Sequence, residues 1–314
     1  MKFIILGRTE VLLDSAKALI ADGHKLIGVI SCRAAIEYSV GEDDFEIFAK
    51  DQGVPFLSTQ KINSQSSIDF TKNLGEVDIA VSVNWISVVG SEFIELFPNG
   101  VLNAHGGDLP RYRGNACQAW AIINRERKIG LCIHKMVAGE LDSGDIISRS
   151  YFNITIETRI GDVYDWMNIQ IPKLFAIAVS NIQNDSEYVL EIQSKDPKDA
   201  LRCYPRKPED GKIDWNASAE EIVRLVNASS EPFEGAFCLD QEGAVLRIWS
   251  AAVFDDQENW CGVPGQVVRI CEDKSIIMIT GEGKIRINEI EIDSKRCKPG
   301  EIIKSIRTRL KSYH

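Results

Sequence analysis

The sequence predicts an α/β protein, with a mainly parallel, Rossmann-like sheet followed by a smaller β-rich C-terminal part. Strand and helix signals alternate through the N-terminal third, which implies right-handed crossovers and parallel pairing. A polar segment near residues 195–205 then breaks that rhythm. Beyond it, short strand candidates separated by turn residues suggest a small barrel or open sheet. The expected domains are therefore 1–200 and 201–314.

KFIILG, from Lys2 to Gly7, reads as a first buried strand, LLDSAKALIADG as a helix ending at Gly23, and KLIGVISC as a second strand. FEIFAKDQG is a helix closed by Gly53, VPFL a short strand, the run through FTKNLG a helix, and DIAVSVN a strand. Ligands of such sheets bind beyond the carboxyl ends of the strands, where Gly7, Asn84 and an NAHGG loop fall. A dinucleotide fingerprint is absent: LGRTEVLLDS supplies Gly7 but no GxGxxG. VLNAH is a strand whose two-residue period puts Asn103 and His105 on one face. Gly106 and Gly107 end it without bulky side chains, so a ligand can approach the backbone.

LPRYRG reads as a turn, ACQAWAIINR as a helix, and IGLCIHKM as a strand leading into the loop AGELDSGD, which carries Asp142. DVYDWMNIQIPKLFAIAVSNIQ is a long amphipathic helix in which Pro172 is expected to introduce a bend. In the C-terminal part, ASAEEIVRLVNA is a helix capped near Ser218. AFCLD, AVLRIWSAAVF, GQVVRIC, SIIMITG and KIRINEIEI are strand candidates.

The bulk numbers describe an ordinary globular chain, 44% apolar and 26% charged. A net charge of −10 argues against a general nucleic-acid binder. The eight cysteines form no CxxC pair and sit mostly in apolar runs, as reduced thiols of a cytoplasmic protein do. VDIAVSVNWISVVG, the most apolar stretch, falls short of the ~20 residues of a membrane span. MKFIILGR is too short for a signal peptide.

Asn103, His105 and Asp142, at adjacent strand and loop ends, suit acyl transfer. An amide can donate to a developing oxyanion, an imidazole can carry a proton, and a carboxylate can fix the imidazole's charge and tautomer. Taken singly, each has a structural reading: an Asn satisfying a turn, a core His, a turn Asp. Cys132 and His134, two apart on a strand, lack the further ligands of a zinc site, and no metal is expected.

At NAH-x₃-LPRYRG followed by LDSGDII, the sequence resembles the formyltransferases that use N10-formyltetrahydrofolate. PRKPEDGKIDW, EPFEGAF, VPGQVV, ITGEG and IRTRL are similar to the family's C-terminal open-barrel subdomain, so the likeness spans nearly the whole chain. It implies Asn103, His105 and Asp142 as the catalytic triad and N10-formyltetrahydrofolate as co-substrate. It implies a pteridine-lining loop at Trp85, Ile86 and Val88, and backbone contacts to the pterin from Ala138, Gly139, Glu140 and Leu141. Arg113 is read either as a cofactor contact or as a brace for the turn.

Methionyl-tRNA formyltransferases read SLLPRWRGAAPI where this chain has GGDLPRYRGNACQ, and Ile86 replaces their usual Gly. Gly106, Gly107, Asp108 and Asn115 are closer to sugar N-formyltransferases, which act on nucleotide-linked amino sugars. The implied acceptor is the amine of a dTDP- or UDP-linked amino sugar for bacterial surface polysaccharide such as O-antigen, with methionyl-tRNA as the alternative. Asp108 is then a substrate-binding candidate. Arg8 and Arg206 can meet a pyrophosphate or remain solvated charges. The resemblance, with exposed-looking apolar C-terminal strands, also suggests a homodimer.

Overall fold

The computed structural model describes residues 1–35 and 38–313. β1 (Lys2–Gly7) is buried on both faces: Phe3 and Ile5 join one hydrophobic cluster, Ile4 and Leu6 another. The two-residue period of a strand makes this split, and a continuous apolar run is what a sheet covered on both faces requires. Then follow α1 (Glu10–Ala21), β2 (Lys25–Ser31), α2 (Glu42–Asp51), β3 (Phe56–Ser58), α3 (Gln65–Asn73), β4 (Ile79–Val83), α4 (Ser91–Ile94) and β5 (Val101–His105). β6 (Arg113–Gly114), α5 (Cys117–Ile123), β7 (Lys128–Lys135), β8 (Ile146–Asn153), α6 (Ile160–Asn184) and β9 (Arg202–Cys203) come next.

Seven strands form one sheet in the order β3-β2-β1-β4-β5-β7-β8. The first five are parallel, and β7 runs antiparallel to β5. That reversal sets Asn103 opposite His134 and His105 opposite Cys132. Leu102, Leu131 and Ile133 point into the core beneath α1 and α6, so the alternation turns Asn103, His105 and His134 to the other face.

The chain folds into two compact units, the first made of Met1–Cys117, Ile129–Phe152 and Asp165–Cys203. The second comprises Gln118–Lys128, Asn153–Tyr164 and Tyr204–His314. Its helix α7 (Ala219–Ala228) starts with a capping box: Ser218 Oγ accepts from the Glu221 N–H at 3.3 Å, and Glu221 Oε2 accepts from the Ser218 N–H at 2.9 Å. Its sheet contains β10 (Ala236–Leu239), β11 (Val245–Val253), β12 (Val267–Ile270), β13 (Ile276–Ile279), β14 (Lys284–Ile292) and β15 (Lys295–Cys297). Pairing is antiparallel in the order β10-β11-β14-β13-β12, with β15 on β14. Ile222, Val223 and Val226 of α7 pack on Ile248, Ile276 and Ile287. This is the open β-rich sheet that the turn-punctuated sequence suggests.

Some local expectations differ from the structure. IISRSYFN forms β8, hidden in the sequence because Ser148 and Arg149 interrupt its apolar run. LPRYRG is not only a turn, since its last two residues, β6, pair in parallel with β9. The ACQAWAIINR helix is shorter than expected, ending at Ile123 before Arg125 enters the left-handed region at φ 60°. α6 runs from Ile160 through Pro172 to Asn184.

α6 tests this packing directly, because Phe175 is fully buried and Ile177 is 51% exposed. Phe175→Ala should cost about 3–5 kcal/mol in urea unfolding, whereas Ile177→Ala should stay within about 0.5 kcal/mol. Equal costs would contradict the assigned face.

Candidate active site

Asp142 lies in the loop between β7 and β8, only 8% exposed and with a left-handed backbone at φ 53°. Its Oδ2 accepts the Gly114 N–H at 2.9 Å and stands 3.4 Å from His105 Nδ1. Its Oδ1 stands 3.5 Å from His134 Nε2. The loop is clamped from behind: Gln193 Nε2 donates to the carbonyl oxygens of Asp142 and Gly144 at 3.0 and 2.5 Å. Arg113 in turn donates to Gln193 Oε1 at 2.8 Å. Gly144 is required by close approach, since a Cβ there would lie 1.8 Å from the Lys135 carbonyl oxygen.

Two backbone carbonyls set the imidazole tautomers. A carbonyl oxygen can only accept, so Nε2 of His105, 2.6 Å from the Tyr112 oxygen, carries a hydrogen. The same argument protonates Nδ1 of His134, 2.9 Å from the Lys135 oxygen, and leaves its Nε2 as an acceptor. Asn103 Nδ2 donates to that Nε2 at 3.3 Å. Gly107 keeps the His105 contact open, because a Cβ there would meet the Tyr112 oxygen at 2.3 Å and His105 Nε2 at 2.6 Å.

Burial pushes the His105 imidazole below its ordinary value, against the pull of Asp142 and the Tyr112 carbonyl. Burial acts to raise the Asp142 carboxyl, but His105, His134 and the Gly114 N–H outweigh it and hold it at about 2. Near neutrality the site thus pairs an ionised carboxylate with an uncharged imidazole, a base whose protonated form already has its counter-ion.

Asn103, His105, His134 and Asp142 line a cleft of about 150 Å³. Trp85, Val88, Val89, Met136, Val137 and Leu141 supply its apolar wall, with Asn84, Asn115 and Glu140 also lining it. Asn63 holds one wall loop, accepting the Gly90 N–H at 2.7 Å and donating to the Val88 oxygen at 3.0 Å. The Gly139 N–H reaches the Val89 oxygen at 3.4 Å and ties the two wall loops together.

The other candidates lie further out. Ile86 is 40% exposed, and neither it nor Ala138 and Gly139 lines the cleft, although all three sit in the wall loops. Arg8 donates to the Asn84 oxygen at 3.2 Å, beside the rim. Asp108 faces a second cleft of about 390 Å³, 3.7 Å from Arg149. Arg206 belongs to the second unit, where it donates to the Ala228 and Asp210 oxygens and to Ser229 Oγ. Sequence reasoning did not assign His134, Tyr112 or Gln193 to the site. Only His134 left a signal there, as a polar residue ending an apolar strand, and pairing it with Asn103 needs the antiparallel register. Among the described residues, no group of three or more His, Cys, Asp or Glu is arranged to hold a metal, and no helix is long and apolar enough to cross a membrane.

The depressed Asp142 value makes a stability prediction. A carboxyl lowered from 3.8 to about 2 contributes stability that is complete above pH ~5 and lost as pH falls through 2, on the order of 2 kcal/mol. Unfolding of wild type should therefore steepen with acid between pH 5 and 2 more than that of Asp142→Asn. Parallel curves would contradict the assignment.

Residues 1–179 match the Formyl transferase family model, and residues 206–307 match Formyl transferase, C-terminal domain. The chain is 27% identical over 310 residues to the methionyl-tRNA formyltransferase of Ruminiclostridium cellulolyticum, covering 97% of this chain and 96% of that one. It is 28% identical over 301 residues to the enzyme of that name from Geobacter metallireducens, covering 94% and 92%. Among solved structures, WlaRD, a sugar 3N-formyl transferase with dTDP and 5-N-formyl-THF, superposes with a TM-score of 0.66 at 19% identity, covering 91% of this chain and 97% of that one. HypX from Aquifex aeolicus, in complex with tetrahydrofolic acid, gives 0.61 at 17% identity, covering 98% of this chain and 47% of its own. Both likenesses speak to fold alone. With family models matched across both of its parts, the chain belongs to the formyl transferase family.

Proposed function

We propose that this enzyme transfers the formyl group of N10-formyltetrahydrofolate to the amine of a dTDP- or UDP-linked amino sugar, of the kind built into bacterial surface polysaccharide. The observation that carries formyl transfer is the Asn103–His105–Asp142 constellation on the floor of a cleft with apolar walls. A flat pteridine suits those walls, with Trp85 and Leu141 as apolar surface and the backbone of 138–141 offering polar groups beside them. The folate supplies an activated formyl carbon and departs through N10.

The protein's own groups then have distinct tasks. Asn103 commits one N–H to His134 and keeps a second to donate to the oxyanion formed when the amine attacks, an effect worth ~3–4 kcal/mol in acyl transfer. His105, uncharged in the resting site, takes the proton released by the attacking nitrogen, and Asp142 stabilises the imidazolium. The same proton then serves the leaving nitrogen.

The sugar reading is supported by the Gly106-Gly107-Asp108 sequence and by charge. Acidic residues outnumber basic ones both overall and within 204–314, a poor surface for tRNA phosphates. WlaRD was solved with dTDP and an N-formyltransferase from Helicobacter canadensis with dTDP-3-aminofucose, at TM-scores of 0.66 and 0.65. The second reading is methionyl-tRNA formyltransfer, favoured by relatives of that name whose similarity runs nearly end to end.

Tetrahydrofolate release against an acceptor panel decides between them. The panel holds dTDP- and UDP-linked 3- and 4-amino sugars, charged initiator tRNA and a no-acceptor control. Turnover with one nucleotide sugar is expected; turnover with tRNA alone would replace this reading by the second, and release without acceptor would indicate a hydrolase. Asn103→Ala and His105→Ala should each lower kcat by ~10²-fold or more while folding normally. A near-wild-type rate would remove that residue from the mechanism.

A further inference from the structure

We infer that His134 is a positioning residue for the transfer, acting through Asn103. The inference rests on the formyl-transfer reading, in which Asn103 is the oxyanion donor. A side-chain amide can rotate to present either its oxygen or its nitrogen, and only the nitrogen can stabilise an oxyanion. Something must choose between the two, and the amide nitrogen of Asn103, at the middle of β5, meets Nε2 of His134.

His134 makes that choice. It is 1% exposed and stands directly across from Asn103 in the antiparallel pairing. The Lys135 carbonyl, 2.9 Å from Nδ1, leaves Nε2 with a lone pair and no hydrogen. A lone pair at 3.3 Å accepts from the amide nitrogen and repels the amide oxygen, so Asn103 is held with nitrogen toward His134. The same orientation keeps the amide oxygen away from it and leaves the second N–H for the cleft that both residues line. His134 Nε2 is also 3.5 Å from Asp142 Oδ1, and the His105 and His134 rings meet edge to face at 6.2 Å. The ring therefore fills the space between the oxyanion donor and the carboxylate, touching both without belonging to the proton path.

Three substitutions test the inference. His134→Leu keeps an apolar filling but offers no lone pair. It should lower kcat roughly tenfold or more, less than the ~10²–10³-fold loss expected on deleting the donor itself, with KM for the amine within about twofold. His134→Gln, whose carbonyl can accept from Asn103 and whose amide can donate to Lys135, should recover most of that loss. Adding His134→Leu to Asn103→Ala should cost nothing further, because the residue acts through the amide. An unchanged kcat in His134→Leu, or multiplicative losses in the double variant, would overturn the inference.

A second measurement is independent of turnover. The Asn103 side-chain amide resonances of ¹⁵N-labelled protein, assigned by their absence in Asn103→Asp, should move and exchange faster with solvent in His134→Leu. Unchanged resonances would also overturn the inference. If wild type transfers formyl to no acceptor, the formyl-transfer reading fails, while the resonances still decide whether His134 orients Asn103.

Discussion

A carboxylate withdrawn from water is costly to keep ionised unless hydrogen bonds and opposing charge replace its solvation. For Asp142 the hydrogen bond comes from the Gly114 N–H, and the ring of His105 at the end of β5 stands against the same carboxylate oxygen, so that its imidazolium has a counter-ion as it forms. The backbone on either side is gripped by Gln193, itself held by Arg113. The geometry of the site follows from meeting these demands together. His105 must turn Nδ1 to the carboxylate, so its other nitrogen meets the Tyr112 carbonyl. Gly107 and Gly144 must lack side chains, because their neighbours' carbonyls occupy that space.

The sheet makes the arrangement available. A fully parallel order would have brought a further crossover helix between β5 and its neighbour. Reversing β7 instead places His134 directly against Asn103 and brings the DSGD loop back over the strand end that carries His105. On the opposite face of the same strands, Leu102, Leu131 and Ile133 lie in the core, so the polar groups of the site are fixed by apolar packing only one residue away.

Much of this was legible in the sequence, and the remainder was not for identifiable reasons. The alternation of strands and helices follows from local patterning, which is why KFIILG, KLIGVISC and DIAVSVN appear where they do. Asn103 and His105 share a face because a strand has a period of two. Asp142 was visible as the carboxylate of a glycine-bounded loop. What local pattern cannot encode is register: neither the partnership of His134 with Asn103 nor that of β6 with β9 follows from either segment alone. The positions of Arg113 and Arg206 were open for a similar reason. An arginine near a motif looks alike in sequence whether it meets a ligand or a carbonyl oxygen, and in the folded chain Arg206 donates to Ala228, Asp210 and Ser229. Strand β8 escaped because its apolar run is interrupted by Arg149, which pairs with Glu191 at 2.9 Å.

The central claim is that the cleft around Asp142 holds the folate with its transferable carbon beside Asn103. A crystal structure with tetrahydrofolate bound tests it most directly. The account predicts the pterin between the Trp85–Val88 loop and the backbone of 138–141, with N10 closer to Asn103 and His105 than to any other polar side chains. Folate seated instead in the second cleft, beside Asp108 and Lys198, would contradict it.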